Sequence, residues 1–161
     1  MSNKKEILKK RFDKLRQHYE ALKAYKQLID KLSAQVDIYQ PENFNKLEIQ
    51  DKAVFDAYLK RFASIQDFLG AKIFPMILEL SGISYGKMTE VLYAVEREEI
   101  IDSLEHWIEL REVRNDLEHD YPDNLSAALK DLKYCVDNFE TLESYYLKAL
   151  DFAKQQVHAP V

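Results

Sequence analysis

Glycine and proline are scarce here, with 3 Gly and 4 Pro in 161 residues. A β-rich domain of this length needs many tight turns, and turns draw on both residues, so long helices are the expected alternative. Cysteine is scarcer still. The single Cys135 excludes an intramolecular disulfide and a cysteine-rich zinc site. No apolar run approaches the ~18 residues of a membrane span, and the amino terminus lacks the apolar stretch of a signal peptide. The expectation from these absences is a soluble protein of a reducing compartment, most simply the cytoplasm.

What is present is core material. Hydrophobic residues make up 47% of the chain and charged residues 32%. That balance belongs to a folded domain, and the length fits one domain over residues 1–161. The net charge of −5 is unevenly spread. Residues 1–16 carry seven Lys/Arg against Glu6 and Asp13, a local balance of +5, so the rest of the chain sums to −10. An acidic protein is a poor nonspecific binder of nucleic acid, since phosphate affinity comes from clustered cations. The basic arm reads first as a solvated helix face.

Apolar residues recur at helical spacing along most of the chain. Leu8, Phe12, Leu15, Tyr19, Leu22, Ile29, Leu32 and Val36 form one stripe. A capping box of Asn45 and Glu48 predicts the start of a second helix, whose stripe runs from Phe55 through Tyr58, Phe62, Ile65, Leu69, Ile73 and Met76 to Leu80. Pro75 predicts a kink near its end and Gly82 a stop. A short helix over about Met88–Val95 and a longer one over about Glu99–Asp120 follow, the latter ended by Pro122. Asp123 or Asn124 caps a last helix whose stripe runs from Leu125 to Ala153. The predicted fold is all-α, an up-and-down four-helix bundle with one additional short helix.

The pattern breaks once. On the helix from Glu99, residues Ile100, Ile101, Leu104, Trp107 and Ile108 gather on one face. The same face continues into Arg111, Arg114, Asn115 and Glu118. Charge on a core-directed stripe costs several kcal/mol unless paired or hydrated. Three explanations serve: the helix leaves the core, Arg114 pairs with Glu118 at i,i+4, or the charges build a site.

The run Arg114-Asn115-Asp116-Leu117-Glu118-His119-Asp120-Tyr121-Pro122 resembles the signature of the HEPN superfamily. It is especially similar to the HepT-like branch, at Arg114, Asn115, His119 and Tyr121, with Trp107 and Arg111 upstream as common companions. The signature covers about fifteen residues, whereas the helical organisation agrees along most of the chain.

The resemblance implies a homodimer that cleaves RNA without a metal or other cofactor, by attack of a ribose 2′-hydroxyl that leaves 2′,3′-cyclic phosphate ends. His119 would be the acid/base, since imidazole exchanges protons near pH 7. Arg114 would bind the phosphorane oxygens, because a guanidinium meets two of them at once. Arg111, Asn115 and Glu118 would support. Tyr121 resembles the tyrosine that a partner nucleotidyltransferase, the antitoxin of such pairs, adenylylates. Five residues along a helix set Arg114 and His119 about 140° apart, so a working site needs a bent helix or a second subunit. The runner-up is a non-catalytic accessory subunit of a nucleotidyltransferase, which the acidic surroundings of the motif (Asp116, Glu118, Asp120, Asp123) favour.

Other constellations are weaker. Gly82–Lys87 lacks the spacing and the preceding strand of a phosphate loop. His119 with Asp116, Asp120 and Asp123 offers metal-ligand chemistry at scattered helical angles. Neither Cys135 nor any serine sits in a nucleophile elbow.

Overall fold

Helical spacing in the sequence becomes helix over most of the chain, and no strand occurs among the described residues. The structure, a computed structural model, describes residues 2–161. Helix α1 spans Ser2–Gln35 and buries Leu8, Phe12, Leu15, Leu22 and Ile29. Its stripe stops short of Val36, which lies beyond the helix and is exposed. A five-residue helix, α2 (Pro41–Asn45), starts on Pro41, whose fixed φ suits a first turn. This turn uses Asn45 as its last residue, so the expected capping box does not form. Helix α3 (Ile49–Phe68) begins after Glu48 without a side-chain cap.

Helix α3 passes through one wide π turn, Leu69–Ile73, into α4 (Phe74–Leu80), with Pro75 in the first turn of α4. Proline lacks an N–H and its ring conflicts with the carbonyl four residues back; a π turn at that place accommodates both. Gly82 ends α4 as expected. At φ +81° it occupies the left-handed region, and the amides of Gly82 and Ile83 bond back to Glu79 and Leu78 in a Schellman closure.

Helix α5 (Met88–Arg97) closes the same way without glycine. Glu99 takes φ +62°, and the amides of Glu99 and Ile100 return to Glu96 and Val95. The helix predicted to begin at Glu99 therefore begins later, as α6 (Leu104–Asp120), where Ser103 Oγ accepts the amide of His106. The last predicted helix is two. Asn124 caps α7 (Leu125–Asp137), and α8 (Phe139–Gln155) follows after Asn138. The Asn138 side chain donates to the Tyr134 carbonyl at 2.9 Å and accepts from Thr141 Oγ1 at 3.1 Å, local bonding that loosens the helix at that residue.

Four rods result: α1, the α3–π–α4 run, α6, and α7–α8. Side-chain pairs fix their directions. Lys4 bonds to Glu79, Arg11 to the Lys72 carbonyl and His18 to Arg61, so α1 and the second rod are antiparallel. Asp67 meets Arg114 while Phe74 meets Trp107, which sets α6 antiparallel to that rod. His106 reaches Asn138, whereas Leu117 shares a groove with Ala128, so α7–α8 returns along α6. Tyr19 reaches Glu143 and Lys26 covers Phe139, closing the ring back to α1. The architecture is an up-and-down four-helix bundle with α5 as the additional short helix and α2 as a single extra turn. Burying Phe62, Ile65, Leu69 and Trp107 together at its centre contributes roughly 1.5–3 kcal/mol per side chain. Among the described residues no helix is long and apolar enough to cross a membrane.

Candidate functional site

The charged residues of α6 separate into two kinds. Leu104, Trp107, Leu110, Arg114 and Leu117 form the buried stripe, so Arg114 is the one charged residue of the run that points inward, with 9% exposed. Arg111, Asn115 and Glu118 do not share it and are exposed. The predicted face was turned because Leu104, Ile108, Arg111, Asn115 and Glu118 also keep helical spacing. Ile108 on that face is 39% exposed, and Leu110 and Leu117 define the real one.

Arg114 is paired, though not with Glu118. Its Nη2 lies 2.5 Å from Asp67 Oδ1 and its Nη1 3.4 Å from Asp67 Oδ2, a two-pronged contact from α6 to α3. The Asp67 carboxylate faces solvent on its other side, so the pair is buried at one end and wet at the other. Arg114 Nε is buried without a partner. Beside Asp67, Gln66 is also buried and donates its amide to the Trp107 carbonyl at 2.9 Å. Together these bonds clamp the middle of α6 to the end of α3.

Asp67 forms part of the wall of two cavities. One is a groove of about 470 Å³ between α3, α2 and the α6–α7 turn. Phe44, Phe55, Leu117 and Leu129 contribute its apolar wall, and Lys52, Glu118 and Tyr121 are among its polar groups. The other, about 260 Å³, holds Arg111 with Gln66, Gly70, Met88 and Trp107. Tyr121 is 46% exposed and meets the Phe44 ring edge-on, with centroids 6.5 Å apart. Its position follows from the end of α6, where the Tyr121 amide still bonds to the Leu117 carbonyl while its backbone is already extended.

His119 is exposed and lines neither cavity. Helix α6 runs unbroken through both motif residues, so the bend that would unite Arg114 and His119 within one chain is absent from residues 104–120. Asn115 lies one turn before His119 and is likewise open to solvent. The site residues therefore separate: Arg114, Glu118 and Tyr121 toward α3 and the groove, Arg111 at the second cavity, Asn115 and His119 outward. Among the described residues no three His, Cys, Asp or Glu side chains gather as a metal-binding group.

Two residues that sequence reasoning did not single out matter most to this geometry. Asp67 had no local signal, since it follows an apolar stripe and its partner is 47 residues away. Gln66 had one, because Tyr58, Phe62, Gln66 and Gly70 lie four apart along the buried row. Phe44 lies between the first stripe and the predicted start of the second helix, on neither. Compared with family models, curated proteins and solved structures, the chain has no match.

Proposed function

We propose that this chain is a HepT-like endoribonuclease that works in the cytoplasm as a homodimer and needs no metal. The observation that carries this reading is the motif Arg114-Asn115-x3-His119-x-Tyr121 on the end of one bundle helix, with His119 and Tyr121 open and Arg114 anchored. In this reading His119 exchanges the proton of the attacking ribose 2′-hydroxyl or of the leaving 5′-oxygen. The bond from that 2′-oxygen to phosphorus forms as the bond to the 5′-oxygen breaks, leaving a cyclic phosphate. Arginine stabilises the charge on the phosphorane. The outward Asn115 and His119 of one subunit meet arginines of the other, so that the cleft is assembled by dimerisation. Glu118 and Arg111 flank it.

Tyr121 supports a second element of the proposal. A phenol half open at the rim of a groove is accessible to a nucleotidyltransferase. Transfer of AMP to its oxygen, with release of pyrophosphate from ATP, places a phosphodiester beside the motif and blocks RNA. The partner is then the antitoxin.

The accessory-subunit reading is favoured by a different observation. Arg114 is already occupied by Asp67, and the groove of about 470 Å³ lies beside Tyr121 and away from His119. Cleavage of total RNA in EDTA by purified dimer decides between the two. Wild type that leaves cyclic-phosphate ends, with His119→Ala inactive, supports the nuclease. Folded, unmodified, dimeric wild type that cleaves nothing overturns it.

A further inference from the structure

The basic arm at the amino terminus is not uniformly solvated. Lys4 pairs with Glu79 at 2.8 Å, and Lys9 and Arg16 both lean on Asp13. Arg11 and Lys14 turn the other way, onto the seam between α1 and the second rod. There Arg11 donates to the Lys72 carbonyl at 2.9 Å, and the Lys14 ammonium stands 5.4 Å above the Phe68 ring. Further along, Arg61 Nη1 lies 3.2 Å from His18 Nδ1. Arg61, Lys14 and Arg11 thus line one seam, and the exposed Lys72, whose carbonyl Arg11 holds, stands at its end on the same rod. Among the described residues none of them has a carboxylate within ion-pair distance, although the protein as a whole is acidic.

We propose that this seam is a docking strip for the phosphate backbone of single-stranded RNA. From Arg61 to Lys72 it extends roughly 16 Å along the rod, enough for several phosphates of an extended strand. Two guanidiniums match phosphate oxygens in pairs, and two ammonium groups add point charge. Phe68 carries the Lys14 ammonium over its ring, and cations set around an aromatic suit nucleic acid better than an acidic peptide. Arg11 is held by a backbone carbonyl and Arg61 by a ring nitrogen, so neither must break an ion pair to receive phosphate. His18 reports the field of the seam. Burial first, then the charges of Arg61 and Lys14, hold its pKa below the ordinary 6.5. An arriving phosphate opposes those charges and raises it. The strip lies outside the motif; it rests on the nuclease reading only for RNA as the polyanion that the protein meets.

The test measures binding of a labelled oligouridylate in EDTA to the full-length His119→Ala protein, where cleavage does not intervene. Four phosphate contacts predict a slope of log K against log salt of about −2.8, falling to about −1.4 in Lys14→Gln/Lys72→Gln. The same release of counterions predicts roughly 25-fold weaker binding by that variant near 0.1 M salt. Both lysines are exposed, so the fold is retained, and far-ultraviolet dichroism checks it. The His18 ring signal titrates at higher pH with RNA bound. Absence of binding overturns the strip, as do an unchanged slope in the double variant or equal competition by polyglutamate. The two readings fail separately: binding through the strip without cleavage by wild type sinks the nuclease alone. Cleavage by wild type with undiminished binding by the double variant sinks the strip alone.

Discussion

The side-chain oxygen of Asn138 lies 3.0 Å from Nε2 of His106, and it faces the ring as an acceptor because the Asn138 amide nitrogen is bonded to the Tyr134 carbonyl. The other ring nitrogen, Nδ1, lies 2.5 Å from Asp102 Oδ2. Acceptors on both sides favour the imidazolium, which donates to each. Burial opposes the charge, but the bonds to Asp102 and Asn138 and the charges of Asp102 and Glu109 outweigh it, so the His106 pKa is raised. Asp102 moves the opposite way. Burial pushes its carboxyl up, yet the bonds from Tyr145, His106 and the Ser103 amide hold it below the ordinary carboxylate value.

The pH dependence follows from the signs. A raised histidine pKa gives stability that is complete below about 6.5 and is lost as pH rises through the folded value. A lowered carboxyl pKa gives stability that is present above about 3.9 and is lost as pH falls through its folded value. The unfolding free energy of wild type over His106→Ala is therefore greatest between these limits and narrows as the solution becomes alkaline. Urea denaturation across pH checks this; a gap that widens above neutrality contradicts it.

Arg114 and Asp67 predict an asymmetry. Arg114→Ala removes a buried guanidinium and empties its space, whereas Asp67→Ala leaves the guanidinium buried beside a now water-filled notch. The loss in Asp67→Ala is expected at about 1–3 kcal/mol, the penalty of unsatisfied buried donors and below that of a fully buried pair. Asp67→Asn keeps one acceptor and falls between that variant and wild type. Chemical denaturation ranks the three.

Tyr121→Phe retains the edge-on contact with Phe44 and removes the phenolic oxygen that would carry AMP. Stability changes by less than about 0.5 kcal/mol, as for other surface substitutions. Under the proposed adenylylation, intact-mass analysis after incubation with a nucleotidyltransferase of the proposed partner class and ATP shows one AMP on wild type and none on the variant. Equal labelling of both would put the modification elsewhere.

Gly70 and Gly86 predict opposite tolerance. A Cβ on Gly70 would sit 3.2 Å from the Trp107 ring, which is wedged between Phe74 and Tyr145 and cannot recede freely. Gly70→Ala therefore forfeits the gain of ~1 kcal/mol that alanine brings to a helix and shifts Trp107 fluorescence. The group nearest a Cβ on Gly86 is the far end of Glu90, which is free to swing, so Gly86→Ala leaves the melting temperature near that of wild type.

Periodicity made the four rods legible, because burial of one stripe per helix leaves a trace that needs no partner to be read. Arg114 was legible for the same reason, as a charge where Leu was due. Its partner was not, since an aspartate on α3 carries no mark of which distant helix it will face. The misread face of α6 has a local cause. Ile108 fits the stripe as well as Leu110 does, and only contact with α3 and α7 decides which is covered. The beginning of α6 was misplaced because Glu99 adopts a left-handed conformation that glycine favours and glutamate does not announce. As for chemistry, spacing alone shows that Arg114 and His119 diverge; whether a second subunit reunites them is a property of the surface.

The π turn between α3 and α4 has a bearing on phase. Buried neighbours along this rod recur as Ile65–Gln66, Leu69–Gly70, Ile73–Phe74 and Ile77–Leu78, a repeat of four. An uninterrupted α-helix would advance such a repeat by about 40° each time, carrying Ile77 about 120° away from Ile65. One inserted residue cancels most of that drift, leaving about 20°. The rod therefore keeps a single flank toward α6 from Asp67 to Phe74. Winding the same residues as regular helix would rotate Phe74, Ile77 and Leu78 out of the core, whereas deleting one residue from Leu69–Ile73 would restore regular winding and leave that flank where it is.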